Sequence, residues 1–254
     1  MWSDSQAYDA YMGRWSRQIA RRFLPWLDAP SGGRWLDVGC GTGVLSSEVL
    51  ANCEPALVCG VDRSAGYVGA ASRLALQGCL ADATALPFAG DRFDYAISGL
   101  VINFVPEPVI AISEMRRVTR PGGTVAVYVW DYREGMELLR RFWQTAASLD
   151  ETAAAFDEGS RFTICQPDQL EMAFTGAGLG SVAVEAMDTR AHFDGFDDYW
   201  QPFLNSQGPA SAYIATLAPP QLEGLRQRLE ETLPIAADGS LDLGLRAWAA
   251  RGVK

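Results

Sequence analysis

The stretch Leu36-Asp37-Val38-Gly39-Cys40-Gly41-Thr42-Gly43 constrains this chain more than any other. Arg34 to Val38 reads as a short buried strand. Val44 to Asn52 carries apolar residues at helical spacing (Val44, Leu45, Val49, Leu50). Between them the glycines demand a tight turn and let the backbone touch a ligand. The helix that follows offers its free N–H groups and positive dipole end to an anionic group.

The same strand–turn–helix rhythm continues. Ala56 to Val61 is a second strand, ending at Asp62, and Ser64 can cap a helix running to about Gln77. Gly78 to Ala81 is a third strand, ending at Asp82. Ala89-Gly90-Asp91 turns the chain into a fourth, Phe93 to Ser98. Pro106 to Val118 is a helix with proline at its start and Arg116, Arg117 and Arg120 at its end, as the dipole prefers. Pro121-Gly122-Gly123 closes it, and Thr124 to Trp130 is a β-branched fifth strand. Such alternation predicts an α/β fold with right-handed crossovers around a parallel sheet. Ligands of these sheets sit beyond the carboxyl ends of the strands, where the glycine turn, Asp62, Asp82 and the Gly99–Asn103 loop converge.

The flanks are less regular. Trp15, Ile19, Phe23 and Trp26 recur at helical spacing, and Pro25 predicts that this helix ends near it. After Trp130, helices are predicted over Arg133–Leu149 and Pro167–Gly178. A strand over Val182–Ala186 extends towards His192, residues 194–238 form a helical insertion, and Leu241–Val253 alternates as a final strand.

Composition removes several function classes. The 254 residues hold 31 acids against 21 bases, a formal charge of −10, which is no footprint for a nucleic acid. His192 is the single histidine, so no multi-histidine metal site forms within one chain. The 5 cysteines include no C-x-x-C pair, which suits small apolar residues in a reducing compartment and no metal. No apolar run approaches the about 18 residues that cross a bilayer. The N-terminus lacks the pattern of a signal peptide. The expectation is a cytoplasmic protein with no membrane or nucleic-acid partner.

Asp62 sharpens the reading of the glycine turn. A carboxylate at the end of the second strand can accept two hydrogen bonds from a ribose 2′,3′-diol, or it can simply cap the helix near Ser64. Two cofactors suit a glycine turn followed by such an acid. A nicotinamide fingerprint is G-x-G-x-x-G; here the spelling is G-x-G-x-G after Leu-Asp-Val. That spelling is joined by Asp82-Ala83, Leu86-Pro87-Phe88, Phe93-Asp94-Tyr95 and Arg117-Val118-Thr119-Arg120-Pro121-Gly122-Gly123. Together they resemble the class I S-adenosylmethionine (SAM)-dependent methyltransferases, in the type 11 branch related to quinone-biosynthesis C-methyltransferases. The resemblance is carried by residues 34–130.

The resemblance implies a Rossmann-like class I methyltransferase fold: a mostly parallel seven-stranded sheet with an antiparallel strand near the C-terminal edge, helices on both faces and helical insertions as a lid. It implies one domain over 1–254, with 34–130 as the SAM-binding core and 1–30, 132–166 and 194–238 on the lid or substrate side. SAM is the implied cofactor, S-adenosylhomocysteine the product, and a small molecule the acceptor at O, N or C, in a monomer or homodimer. By the same resemblance Gly39, Cys40 and Gly41 contact the methionyl part through their backbone. Asp37 orders that loop or meets the ammonium. Asp62 holds the ribose, and Arg63 lies beside the adenine. Asp82 and the Ala83 N–H read the adenine edge, and Gly99 and Leu100 pass under the sulfonium. Tyr11 and Arg14 belong to an N-terminal segment that lids the cofactor. Asn103, Phe104, Trp130 and Tyr199 are candidates for the substrate side. No catalytic base is evident; His192 and Asp131 are the candidates. The competing functions are a non-catalytic SAM-binding protein and a nicotinamide-dependent reductase.

Overall fold

The computed structural model describes residues 14–71, 76–205 and 208–254. The described chain begins with helix α1 (Arg14–Leu27). There follow β1 (Arg34–Val38), α2 (Val44–Asn52), β2 (Leu57–Asp62), α3 (Ala65–Ala71), β3 (Gln77–Leu80) and β4 (Phe93–Gly99). A short 3-10 turn over Ile102–Phe104 precedes α4 (Pro108–Val118) and β5 (Thr119–Trp130). The remainder is α5 (Glu137–Leu149), α6 (Glu158–Arg161), α7 (Pro167–Gly176), β6 (Gly180–Phe193), α8 (Phe196–Asn205), α9 (Pro209–Ile214), α10 (Pro219–Thr232) and β7 (Leu241–Val253).

The strands form one seven-stranded sheet in the order β3-β2-β1-β4-β5-β7-β6. Strands β3, β2, β1, β4 and β5 pair in parallel, whereas β7 runs antiparallel to β5 from Thr124↔Val253 to Trp130↔Ala247. β1 and β4 are buried along nearly their whole length, as parallel strands covered on both faces must be. β7 alternates instead, with Leu241, Leu243, Leu245, Ala247 and Ala249 buried. The order reverses at β1, so β1 and β4 diverge to α2 and α4 beyond their carboxyl ends. That is where a doubly wound sheet opens a crevice.

Four element boundaries differ from the sequence reading, each for a local reason. Helix α1 runs past Pro25 to Leu27: the ring removes one bond in the last turn, to the carbonyl of Arg21, a residue that faces water. The freed helix end is met by Arg251, whose guanidinium donates to the Trp26 carbonyl and lies over its ring at 4.7 Å. Pro121-Gly122-Gly123 does not precede β5 but interrupts it. The register jumps from Phe93↔Thr119 to Tyr95↔Thr124, so these residues bulge out of the strand. α5 starts at Glu137, later than Arg133, because the Asp131 carboxylate accepts from Glu134 N and its carbonyl from Gly135 N and Met136 N. α3 is described only to Ala71, and β3 takes up Gln77.

The chain divides into two compact units. One comprises Ser16–Trp130, Ile164–Met187 and Ala247–Lys254; the other holds Trp15, Asp131–Thr163 and Asp188–Arg246. In the first, Trp35 stacks on Tyr95 at 4.2 Å and Phe23 meets Tyr128 edge-on at 4.9 Å. The second is organised by rings. Phe142 stacks on Phe203 at 4.7 Å, and Phe193 meets Trp15 and Tyr199 edge-on. The Tyr199 hydroxyl donates to the Leu138 carbonyl at 3.0 Å. Glu158 is buried in this unit and accepts from Trp143 Nε1 at 2.6 Å. Burial pushes its carboxyl up to about 7, against the pull of backbone and Trp143 hydrogen bonds and the nearby Arg140, with Asp157 adding to the rise.

A carboxyl raised in the fold favours the protonated native state, so its contribution to stability is lost as pH rises from the ordinary carboxylate range through about 7. Glu158→Gln mimics the protonated form. The thermal midpoint of the wild type is expected to fall more between pH 5 and pH 8 than that of the variant. Equal falls in the two proteins would show that Glu158 keeps its charge.

Candidate cofactor and active site

The glycine turn is held by β2 and by the loop after β4. The N–H groups of Gly39 and Cys40 both donate to the Val61 carbonyl, at 2.7 and 2.9 Å. Gly39 has φ +75°, and a Cβ built there would meet Val101 Cγ1 at 2.5 Å. No side chain fits that approach. Gly41 has φ +53°, yet nothing lies within 4 Å of its would-be Cβ. One glycine is required by packing; the other leaves space. Cys40 turns its side chain inward, with Sγ 2.9 Å from a Cβ placed on Gly60, and burial pushes the thiol up. Its backbone, not its sulfur, is what the turn can present.

Asp62 ends β2 and faces the turn. Its Oδ2 accepts from Gly41 N at 3.1 Å, and its Oδ1 accepts from Ser64 N at 2.8 Å. One carboxylate therefore links the glycine turn to the start of α3, and the capping geometry near Ser64 coexists with the contact to the turn. Asp37 lies behind, 1% exposed, with Ser46 Oγ donating to its Oδ2 at 2.6 Å. Desolvation pushes its carboxyl up to about 7, and the charge of Asp62 adds to the rise. Ser46 was not singled out from the sequence. The available signal was a hydroxyl in the first turn of the helix that follows a strand-terminal acid.

Asp82 closes its own turn: its Oδ1 accepts from Thr84 N at 2.8 Å and Thr84 Oγ1 at 2.7 Å. These bonds, with the charge of Arg63, hold its carboxyl below the usual range. Ala81 N donates to the Asp62 carbonyl at 3.0 Å, which ties this edge to β2. After β4, Leu100 adopts φ +61°, a conformation an L side chain seldom takes, and its N–H donates to the Tyr128 carbonyl at 2.8 Å. Asn103 is 8% exposed, and its Nδ2 has no protein acceptor; Phe104 is 40% exposed. Trp130 is buried. The first unit thus brings the glycine turn, Asp37, Asp62 and the loop after β4 together, with Asp82 beside them through β2.

The other sequence candidates fall in the second unit. Asp131 is 1% exposed and is engaged in its turn with Glu134 N. The His192 side chain is 59% exposed, with Nδ1 3.1 Å from Asp242 Oδ1 and Nε2 3.6 Å from Asp194 Oδ1. Tyr199 is buried in the ring cluster. Arg14 opens α1, and Tyr11 lies outside the described residues. Among the described residues no group of three His, Cys, Asp or Glu could hold a metal ion. No described helix is long and apolar enough to cross a membrane.

Comparison with known proteins follows the same line. The family described as "Methyltransferase domain" matches residues 36–127, from β1 into β5. A demethylmenaquinone methyltransferase of Mycolicibacterium paratuberculosis is 30% identical over 163 residues, covering 60% of this chain and 69% of its own length. An uncharacterized protein of Mycobacterium tuberculosis is 29% identical over 226 residues, 83% of this chain and 78% of that one. Among solved structures, a Haemonchus contortus phosphoethanolamine N-methyltransferase 2 in complex with SAM shares the fold at TM-score 0.59 and 19% identity, over 99% of this chain and 57% of that one. The Bacillus subtilis protein YcgJ does so at TM-score 0.60 and 15% identity, over 93% and 98%. The chain belongs to the SAM-dependent methyltransferases of the methyltransferase-domain family.

The two glycines of the turn predict losses of different size. Gly39→Ala must displace Val101, which costs about 1–3 kcal/mol on top of the strain of its backbone, and Val101→Ala is expected to restore part of the loss. Gly41→Ala meets no atom and should cost about 1 kcal/mol from φ alone. Urea unfolding of the three variants checks this ranking.

Proposed function

We propose that this methyltransferase transfers the methyl group of SAM to an O, N or C atom of a small molecule, by in-line displacement at the carboxyl ends of β1 and β4. When bound, SAM supplies an electrophilic methyl on a sulfonium. The residues of this chain bind, orient and align. The backbone of Gly39, Cys40 and Gly41 takes the methionyl part, and Gly41 fits that role because its outer face is open. Asp62 receives the ribose hydroxyls, Arg63 flanks the adenine, and Asp82 and the Ala83 N–H read the adenine edge. Asp37 faces the ammonium end, and Gly99 and Leu100 pass beneath the sulfur.

On the acceptor side stand Asn103, Phe104 and Trp130. Asn103 supports that placement: a buried amide donor without an acceptor costs about 1–3 kcal/mol, which a hydrogen-bonding acceptor would recover. Alignment of sulfur, methyl and nucleophile can supply on the order of 7–11 kcal/mol of barrier reduction. A base is required only for a nucleophile that arrives protonated. A small acceptor agrees with the formal charge of −10 and with relatives named for demethylmenaquinone and phosphoethanolamine.

The observation that carries the cofactor assignment is the Asp62 carboxylate, placed at the end of β2 and hydrogen-bonded to Gly41 N. Asp62→Ala is expected to weaken SAM binding by on the order of 100-fold, through lost charge-assisted hydrogen bonds. Its far-ultraviolet circular dichroism should match the wild type. Calorimetry showing wild-type affinity in this variant would refute the assignment.

A further inference from the structure

Beyond Asp82 the chain makes a tight turn and descends along α4, where one side-chain pair holds it. Arg117 Nη1 donates to the Phe88 carbonyl at 2.7 Å, and Nη2 donates to the Leu86 carbonyl at 2.9 Å. The same guanidinium grips Glu114 in a fork, Nε to Oε1 at 2.6 Å and Nη2 to Oε2 at 2.8 Å. Glu114 Oε2 also accepts from Leu86 N at 2.9 Å. Both backbone polar groups of Leu86 are therefore held by this fork, and the Leu86 side chain is buried. The lower end of the segment is stitched to the end of α4 as well, by Asp91 N to the Arg117 carbonyl and Arg92 N to the Val118 carbonyl.

A partly exposed Glu–Arg pair one helical turn apart is worth little as an ion pair, about 0–1 kcal/mol. Its effect is geometric. The Asp82–Ala85 turn is closed on itself, by Ala85 N to the Asp82 carbonyl at 3.0 Å and by Thr84 on the Asp82 carboxylate. A closed turn moves as one piece, and its exit is Leu86. Arginine is needed for this grip: its planar donors reach two carbonyls and a carboxylate in fixed directions, which the single ammonium of lysine does not.

We propose that Glu114 and Arg117 are positioning residues for adenine recognition, setting through Leu86 the place of the Asp82 carboxylate and the Ala83 N–H. This rests on the assignment of Asp82 and Ala83 to the adenine edge. The fork acts through the backbone; it decides where the Asp82 carboxylate, which accepts from the 6-amino group, and the Ala83 N–H, which donates to a ring nitrogen, stand.

The test compares S-adenosylhomocysteine with S-inosylhomocysteine, which carries a carbonyl in place of the 6-amino group, by calorimetry. The wild type is expected to prefer the adenosyl compound, because a carboxylate accepts from an amino group and repels a carbonyl oxygen. In Arg117→Lys that preference should shrink by on the order of tenfold, while affinity for the inosyl compound changes less than about twofold. Glu114→Gln keeps an acceptor for Leu86 N and loses the ion pair, so it should show a smaller loss of preference in the same direction. It serves as the readout if Arg117→Lys does not fold at the assay temperature. A folded variant that keeps the wild-type preference, whatever its melting temperature, overturns the positioning role alone. A wild type that binds both compounds equally overturns the assignment of Asp82, and one that binds neither overturns the cofactor site.

Discussion

The carboxyl end of the sheet depends on one close approach. The glycine turn must lie against the Val61 carbonyl on one side and Val101 on the other, at a distance that no Cβ at position 39 allows. Interiors packed to crystal density do not absorb such an atom cheaply. From this contact the rest follows: Gly41 N comes within reach of Asp62, Asp62 reaches Ser64, and the loop after β4 is pinned where Leu100 must take a left-handed backbone. Strain at Leu100 is tolerated because its N–H is fixed to the Tyr128 carbonyl.

Two acids share this end of the sheet, and their surroundings make them different groups. Asp62 is half-buried and accepts from two backbone N–H groups. Asp37 is out of water and hydrogen-bonded by a neutral hydroxyl, and its carboxyl is pushed up to about 7. Near neutral pH, burial can keep Asp37 uncharged. The formal charge of −10 has little to do with this. Half of it comes from residues 194–238, with seven acids against two bases, away in sequence from every group of the glycine turn.

The five parallel strands were legible because most are short apolar runs that end at a glycine or an acid. The final strand was legible from the alternation of Leu241, Leu243 and Leu245. What escaped depended on partners distant in sequence. Pro121-Gly122-Gly123 reads as an end of structure, and only the neighbouring β4 makes it a bulge inside β5. Pro25 reads as a helix stop, yet Arg251 satisfies the carbonyl end beyond it. Arg117 reads as a dipole-favourable charge at a helix end; two of its four hydrogen bonds exist only once Leu86 and Phe88 are folded against it. Ser46 became visible only as the partner of a buried Asp37. The glycine turn needed no such help, because Asp37 to Gly43 are consecutive residues.

The order β5-β7-β6 carries a consequence for how the chain comes together. β7, the last strand made, is an interior strand, inserted between two that precede it. Until it emerges, β5 presents an open row of backbone donors and acceptors along its most β-branched stretch, Thr124 to Trp130. Such an edge is an invitation to pair with another chain. Closing it joins residues more than a hundred positions apart, which makes it a slow step by topology. The interval between synthesis of β5 and arrival of β7 is therefore when this protein is most exposed to aggregation.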